Sequence, residues 1–303
     1  MKSIVTIGES VVNLVCSGEG ASLENARSFE KVPGGAPANV AAAVSRLGGS
    51  AQMIARVGRD SFGDFLVEDL KESGVNTELV RRTDKANTPV AFIAYDESGK
   101  RDFVIYHEYG AERFITPDMI REEVFKGCAV LYFGSLGLCG EAPRKAHKKA
   151  IGYARKNGAL IAFDPNLRPI RGISSAELRT NISQFLPLTD IIKLSENELS
   201  KISGTQSREK SFRLLLAFGC RCIIMTKNSG GAELILNDGR RISLRGEGEF
   251  PLAAGSGDRF FGAFLFGLAK KGVARSELAR LSDEEYSELL QFAFEYAAKR
   301  TGE

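Results

Sequence analysis

The sequence predicts an α/β fold: an open, doubly wound, mostly parallel sheet flanked by helices, with a small β appendage. Three observations carry that expectation. Short β-rich runs alternate with helix-like segments along the 303 residues. The runs are almost continuously apolar rather than alternating, which marks parallel strands buried on both faces. One stretch, 89–106, breaks the alternation and reads as two strands around a turn.

The candidate core strands are 4–7, 52–57, 130–133, 160–163, 191–194 and 222–225. Between them lie helical patterns. Phe62, Phe65, Leu66 and Leu70 repeat at i, i+3, i+4 and i+8. A helix over 142–157 closes at Gly158, and a later one opens with a Ser282/Glu285 capping box. Its apolar stripe is Tyr286, Leu289, Leu290, Ala293, Phe294 and Ala297. The hairpin PVAFIAYDESGKRDFVIY turns at 96–100 and is either a lid over a site or an extra edge hairpin. There is no internal repeat, low-complexity tract or long linker, so 1–303 reads as one core domain with a small β appendage.

Composition excludes several classes of function. Hydrophobic content of 43% and charged content of 26% are ordinary for a globular chain. A net charge of +3 is too small to argue for nucleic acid, and Arg144, Lys145, Lys148 and Lys149 read as a solvated helix face. No apolar run reaches membrane-spanning length. MKSIVTIGE runs directly into a strand, with no signal or transit peptide visible. The five cysteines form no CxxC pair and there are two histidines, which argues against structural zinc and for a reducing cytoplasm. The glycines at Gly58 and Gly63 have phosphate-loop spacing, but Asp64 follows where lysine is needed. No GxGxxG follows the first strand and no GxSxG elbow occurs. His107 and His147 leave few candidates for histidine-based catalysis.

In open α/β sheets ligands sit at the carboxyl ends of the strands. Those ends carry Gly8-Glu9, then Asp164-Pro165-Asn166-Leu167-Arg168, Ser195-Glu196-Asn197-Glu198, and Thr226 with Gly230-Gly231. A sharper signal is PLAAGSGDRFFGAFLFGL at 251–268. Gly255-Ser256-Gly257 stand before an apolar helical run, with Asp258 among them. The first N–H groups of a helix lack partners and its dipole makes that end positive. Glycines let an oxyanion approach them. A carboxylate there is either a cap or a base beside an anion hole. A second glycine-rich stretch, GGAPANVA at 34–41, has Pro37 in a first helical turn. Gly34 and Gly35 expose backbone N–H groups there, and Asn39 can donate and accept, an arrangement suited to gripping hydroxyls.

GGAPANVAAAVSRLG, ARVGRDSFGDFL, DPNLR, IIKLSENEL and AGSGDRFFGAF fall in this order over nearly the whole chain. In this combination the sequence resembles the ribokinase-like (PfkB) family of sugar kinases, most closely its fructokinase branch. The resemblance implies an α/β core with a β lid drawn mainly from about 11–32 and 89–107. It implies ATP-dependent phosphorylation of a sugar hydroxyl, with D-fructose as the expected substrate and 2-keto-3-deoxygluconate or a nucleoside as alternatives. Asp258 would be the catalytic base, with Gly255, Ser256 and Gly257 as the anion hole. Asn13, Gly34, Gly35, Asn39 and Arg168 would meet the sugar. Asp164, Asn166, Ser195, Thr226, Asn228 and Gly231 would meet the nucleotide, and Glu198 would organise Mg²⁺. Neither nucleic acid nor membrane is an expected partner, and β lids of this kind allow a homodimer.

The sequence departs from the family at several positions. Asn13 stands in place of an Asp, losing a charge-assisted hydrogen bond worth on the order of 1.5–3 kcal/mol. Ser195 replaces the Asn of N-x-x-E, a change the fructokinase branch tolerates, and Asn228 replaces a glycine. Leu252 and Ala253 replace an Asp-Thr pair; leucine cannot coordinate a cation, so K⁺ activation is in doubt. Arg259 follows the base in place of a small residue, and His107 stands where fructokinases often carry Arg. Phe294 replaces a polar residue, and the chain ends near where the family continues. These changes support an alternative expectation, a kinase-like binding or regulatory protein with little turnover. The intact GSGD and GGAPANVA support the active enzyme.

Overall fold

The chain runs β1 (Ser3–Ile7), β2 (Val11–Cys16), β3 (Phe29–Gly34), α1 (Ala36–Arg46), β4 (Ala51–Gly58), α2 (Ser61–Glu72), β5 (Val80–Thr83), β6 (Val90–Tyr95) and β7 (Arg101–Tyr106). It continues through β8 (Cys128–Gly134), α3 (Glu141–Lys156), β9 (Leu160–Asp164), α4 (Ser175–Ser183), β10 (Ile191–Ser195), α5 (Glu196–Ser203), α6 (Arg208–Ala217) and β11 (Cys222–Thr226). The last elements are β12 (Ala232–Leu236), β13 (Arg241–Leu244), α7 (Ser256–Lys271) and α8 (Asp283–Ala298). The structure, a computed structural model, describes residues 2–17, 22–96, 101–106 (Arg101 by its backbone), 108–167, 174–227, 231–244 and 255–299.

Nine of these strands form the central sheet, in the order β13-β12-β11-β10-β9-β8-β1-β4-β5. From β5 across to β11 neighbouring strands are parallel; β12 and β13 are antiparallel. The six expected core strands are all present. Their continuous apolar runs arise because both faces are covered. On one face Tyr132 and Ile224 pack with Phe260, Phe261 and Phe264 of α7 and with residues of α1 and α8. On the other, Phe133, Phe163 and Ile223 pack with α3, α4 and α6. One expected contact differs. Leu66 and Leu70 of α2 are buried, but Phe62, on its first turn, is 38% exposed.

A second sheet has the order β3-β2-β6-β7. The 89–106 hairpin is its β6–β7 pair, and β2 lies parallel to β6, an arrangement that one hairpin alone would not reveal. Short junctions tie this sheet to the core, among them residues 8–10 between β1 and β2. Gly35 alone separates β3 from α1. Asp60, the N-cap of α2, accepts from Gly63 N and also from the backbone N and Oγ1 of Thr88, just before β6. The Ser282/Glu285 capping box of α8 is formed as expected. All five cysteines are free, and among the described residues no helix is long and apolar enough to cross a membrane.

His147 of α3 is a packing residue. Its Nδ1 lies 2.8 Å from the Pro143 carbonyl oxygen, and its ring meets Phe133 edge-on at 5.8 Å. Burial pushes its pKa down to about 4, against about 6.5 in an unfolded chain. Between those values the unfolded state binds the extra proton, so this group's contribution is complete above pH ~6.5 and is lost as the pH falls toward 4. The full shift corresponds to about 3 kcal/mol. The urea midpoint should therefore fall more steeply between pH 7 and about 4.5 for the natural chain than for His147→Leu. Parallel slopes would show that His147 makes no such contribution.

Candidate active site

β1 is the point from which the chain winds in both directions, β4 and β5 to one side and β8 to β11 to the other. Ligands of open α/β sheets bind outside the strand ends at such a switch point. A cavity of about 80 Å³ lies there. Glu9 enters it from the end of β1, and Ser135 and Asn166 from beyond β8 and β9. Gly35 and Asn39 enter from α1, Gly255 and Asp258 from α7. The second sheet covers it with Asn13, Ala91, Phe103 and Ile105.

Two helix N-termini converge on this cavity. Gly35 caps α1 and Pro37 lies in the first turn, as the sequence suggested. Gly255 caps α7 at φ 81°, ψ 0°, a left-handed conformation that a Cβ would disfavour. Its carbonyl accepts from the backbone N–H groups of Asp258 and Arg259, at 3.1 and 2.9 Å. The N–H groups of Ser256 and Gly257 thus precede the first helical bonds, at the positive end of the dipole. Asp258, largely buried on the same turn, does not cap the helix; its Oδ2 accepts a 2.8 Å hydrogen bond from Asn39 Nδ2.

Behind this turn stands a residue the sequence reading passed over. Lys193 is the one charged side chain within the apolar run of β10, and it is buried. Its Nζ bonds Asp164 Oδ2 at 2.6 Å. A Cβ added to Gly257 would lie 3.2 Å from the same Nζ. Burial works to discharge Lys193, but Asp164, Asp258 and Glu198 together overcome it and hold its pKa above the ordinary lysine value. The signal was available: a lysine inside a strand buried on both faces needs an anionic partner. Asp164, expected to meet the nucleotide, is not among the residues lining the Asp258 cavity. It is fully buried against Lys193, and its Oδ1 accepts from Asn166 N. That bond helps to hold Asn166 at φ 41°, the single positive value among the described non-glycine residues. Asparagine tolerates this region better than most side chains.

Glu198 is also largely buried. Its Oε2 accepts from Ser195 N at 2.8 Å and Ser195 Oγ at 2.6 Å, and its Oε1 from Leu167 N. Three of about four acceptor positions of this carboxylate are thus filled by protein. Among the described residues no group of three or more His, Cys, Asp or Glu could hold a metal ion. This donor set fits a cation held chiefly by water and phosphate, as Mg²⁺ commonly is, rather than a protein cage. Ser195 pairs in register with Thr226, and Gly231 follows nearby, so these three share neighbouring strand ends away from the Asp258 cavity. Gly34 lies behind Asn13: a Cβ there would fall 2.1 Å from Asn13 Nδ2. Arg259 donates to the Ala297 carbonyl at the end of α8, and Phe294 packs against the core. Arg168, Asn228, Leu252, Ala253, His107 and the last residues, 300–303, lie outside the described residues.

The fold and crevice define an α/β protein whose ligand site combines two helix N-termini, a buried carboxylate and a covering β sheet. The chain belongs to the pfkB family of carbohydrate kinases, whose model matches residues 1–303, and is thus a sugar kinase. Fructokinase-1 of Zea mays is 35% identical over 268 residues, covering 88% of this chain and 83% of that protein. Probable fructokinase-4 of Arabidopsis thaliana is 34% identical over 286 residues, 92% of this chain and 86% of that protein. Among solved structures, fructokinase with bound ATP from Xylella fastidiosa superposes with a TM-score of 0.84 at 27% identity, covering 98% and 91% of the two chains. A putative ribokinase II from E. coli in complex with ATP and Mg²⁺ gives 0.81 at 26% identity, covering 98% and 92%.

The Lys193–Asp164 pair yields a stability prediction. Lys193→Met strands a buried carboxylate and should cost about 3–5 kcal/mol by urea denaturation. Asp164→Leu/Lys193→Met should recover most of that loss. A single variant as stable as the natural chain would show that the pair is not needed for folding.

Proposed function

We propose that this sugar kinase transfers the γ-phosphoryl group of ATP to D-fructose, giving fructose 6-phosphate and ADP. The observation that carries the reading is the placement of Asp258. It stands on the first turn of α7, inside the cavity and beside Gly255, Ser256 and Gly257, with one oxygen held by Asn39. The named substrates of the similar plant and bacterial proteins favour fructose.

The chemistry follows from the geometry. A fructose hydroxyl directed at Asp258 gives its proton to the carboxylate as its oxygen bonds the γ-phosphorus. The bond from that phosphorus to the bridging oxygen breaks, and ADP leaves with the electron pair. Charge on the transferring group is met by the N–H groups of Gly255–Gly257 at the helix N-terminus. Asn39 fixes the carboxylate for proton transfer, and Asn13, Gly35 and Asn166 position the sugar. The nucleotide lies along the strand ends carrying Ser195, Thr226 and Gly231. Glu198 would order the water shell of a Mg²⁺ ion, which would screen the phosphate charge when bound. The second sheet acts as a lid that excludes water, its Phe103 and Ile105 facing the sugar.

The opposite face of that lid presents Val104 and Tyr106, 41% and 58% exposed, with Phe29, Phe92 and Tyr106 in edge-on contact. This apolar face supports pairing of two chains through their lids. Sedimentation velocity should show a dimer that Tyr106→Lys weakens; a monomer at all concentrations would remove this part of the reading.

The decisive test is fructose-dependent ADP release with ATP and Mg²⁺, beside Asp258→Ala. The natural chain should turn over, and the variant should lose at least about a hundredfold in kcat while keeping its fold. A variant as active as the natural chain would exclude Asp258 as the base. A folded natural chain with no fructose-dependent release would instead exclude fructose as substrate.

A further inference from the structure

Glu9 has no role in the scheme above, yet it stands where the fold concentrates ligand contacts. It is the second residue beyond β1, at the switch point, and it lines the same cavity as Asp258. These two are the ionisable side chains among the described residues lining the cavity. Glu9 is 4% exposed, and its Oε2 has no hydrogen-bond partner. Its Oε1 reaches toward the end of β8, where a Cβ on Gly134 would lie 3.7 Å away. A buried carboxyl with an unsatisfied oxygen is costly unless a partner arrives. The polar side chains sharing the cavity, including Asn13, Asn39, Ser135 and Asn166, are suited to hydroxyls.

We propose that Glu9 is a further substrate-recognition residue, whose carboxyl group forms part of the cavity wall and hydrogen bonds a hydroxyl of the bound sugar. This rests on the sugar-kinase reading of the cavity and adds a contact to it. The protonation state fits the task. Burial pushes the Glu9 pKa up to about 8; Glu112 and Asp258 add to the rise, while the backbone N–H groups of Glu9 and Ala36 oppose it. The titratable groups around it are Glu112 on the 3-10 turn Ala111–Phe114, Asp258 on α7, Tyr132 on β8 and Cys139. At neutral pH Glu9 therefore keeps its proton and can both donate to and accept from a hydroxyl. Ionised, it could only accept, and it would add a second negative charge beside Asp258.

The test is steady-state kinetics with fructose at pH 6.5, 7.5 and 9 for the natural chain, Glu9→Gln and Glu9→Met, with thermal-shift titrations of fructose alone. Glu9→Met should raise KM about tenfold with kcat changed less than about threefold, and Glu9→Gln, which keeps a donor and an acceptor, should raise KM by about threefold or less. KM of the natural chain should rise between pH 7.5 and 9 more steeply than that of Glu9→Gln. A KM for folded Glu9→Met within about twofold of the natural value overturns the proposal. If Glu9→Met does not fold, the Gln comparison decides: parallel KM profiles overturn it. If the natural chain turns over no fructose, the fructose reading fails separately. Thermal shifts with a panel of hexoses and pentoses then decide on Glu9. Equal shifts for the natural chain and Glu9→Gln at both pH 7.5 and pH 9, or no shift for either, overturn it.

Discussion

Gly262 of α7 rests against Val40 and Ala43 of α1, and a Cβ at Gly262 would lie 2.9 Å from that of Ala43. The two helices approach this closely because the facing positions carry small residues, which follow from the AAAV run of α1 and the Gly-Ala pair of α7. The approach sets the rest of the site. It brings both N-termini to one cavity, so that Gly35 and Gly255 become neighbours in space and Asn39 can reach Asp258 across 219 positions of sequence. A bulkier residue at this seam would separate the Asp258 carboxylate from the Asn39 amide that orients it without touching either one.

Charge is arranged around that seam with similar economy. Asp164, Glu198 and Asp258 all bear on Lys193, which lies beneath the first turn of α7. Three carboxylates near the proposed phosphate position would repel an incoming anion. A buried ammonium supplies the opposing charge from inside the sheet, where solvent screening is weak. The hydrogen bonds of Asp164 and Glu198 then fix the loop through Asn166 and Leu167, so two of the carboxylates that Lys193 balances also shape the cavity wall.

Most of the fold was legible in the sequence because its signals are local and repeated. Buried parallel strands read as unbroken apolar runs, and α8 announced its own start with Ser282 and Glu285. GSGD and GGAPANVA were legible because glycines mark places where a backbone must be approached closely. Single residues whose meaning depends on a distant partner were not. Lys193 differs from its strand by one letter, and its partner Asp164 is 29 positions away. Asp164, read as a crevice residue from its place after β9, is covered by that partner. Glu9 looked like any polar residue after a strand until β1 was seen to sit at the switch point. Phe62 fitted the apolar stripe of α2, yet it is exposed where Leu66 and Leu70 of the same stripe are buried.

The junctions of the second sheet have a mechanical meaning. Gly35 joins β3 to α1 with no intervening loop, and Asp60 holds Thr88 at the threshold of β6. The covering sheet is thereby held close to the helix whose first turn lines the cavity. Gly35 is at once the junction and part of the cavity wall, so a change in the chain path between β3 and α1 alters the lining of the ligand site at the same residue.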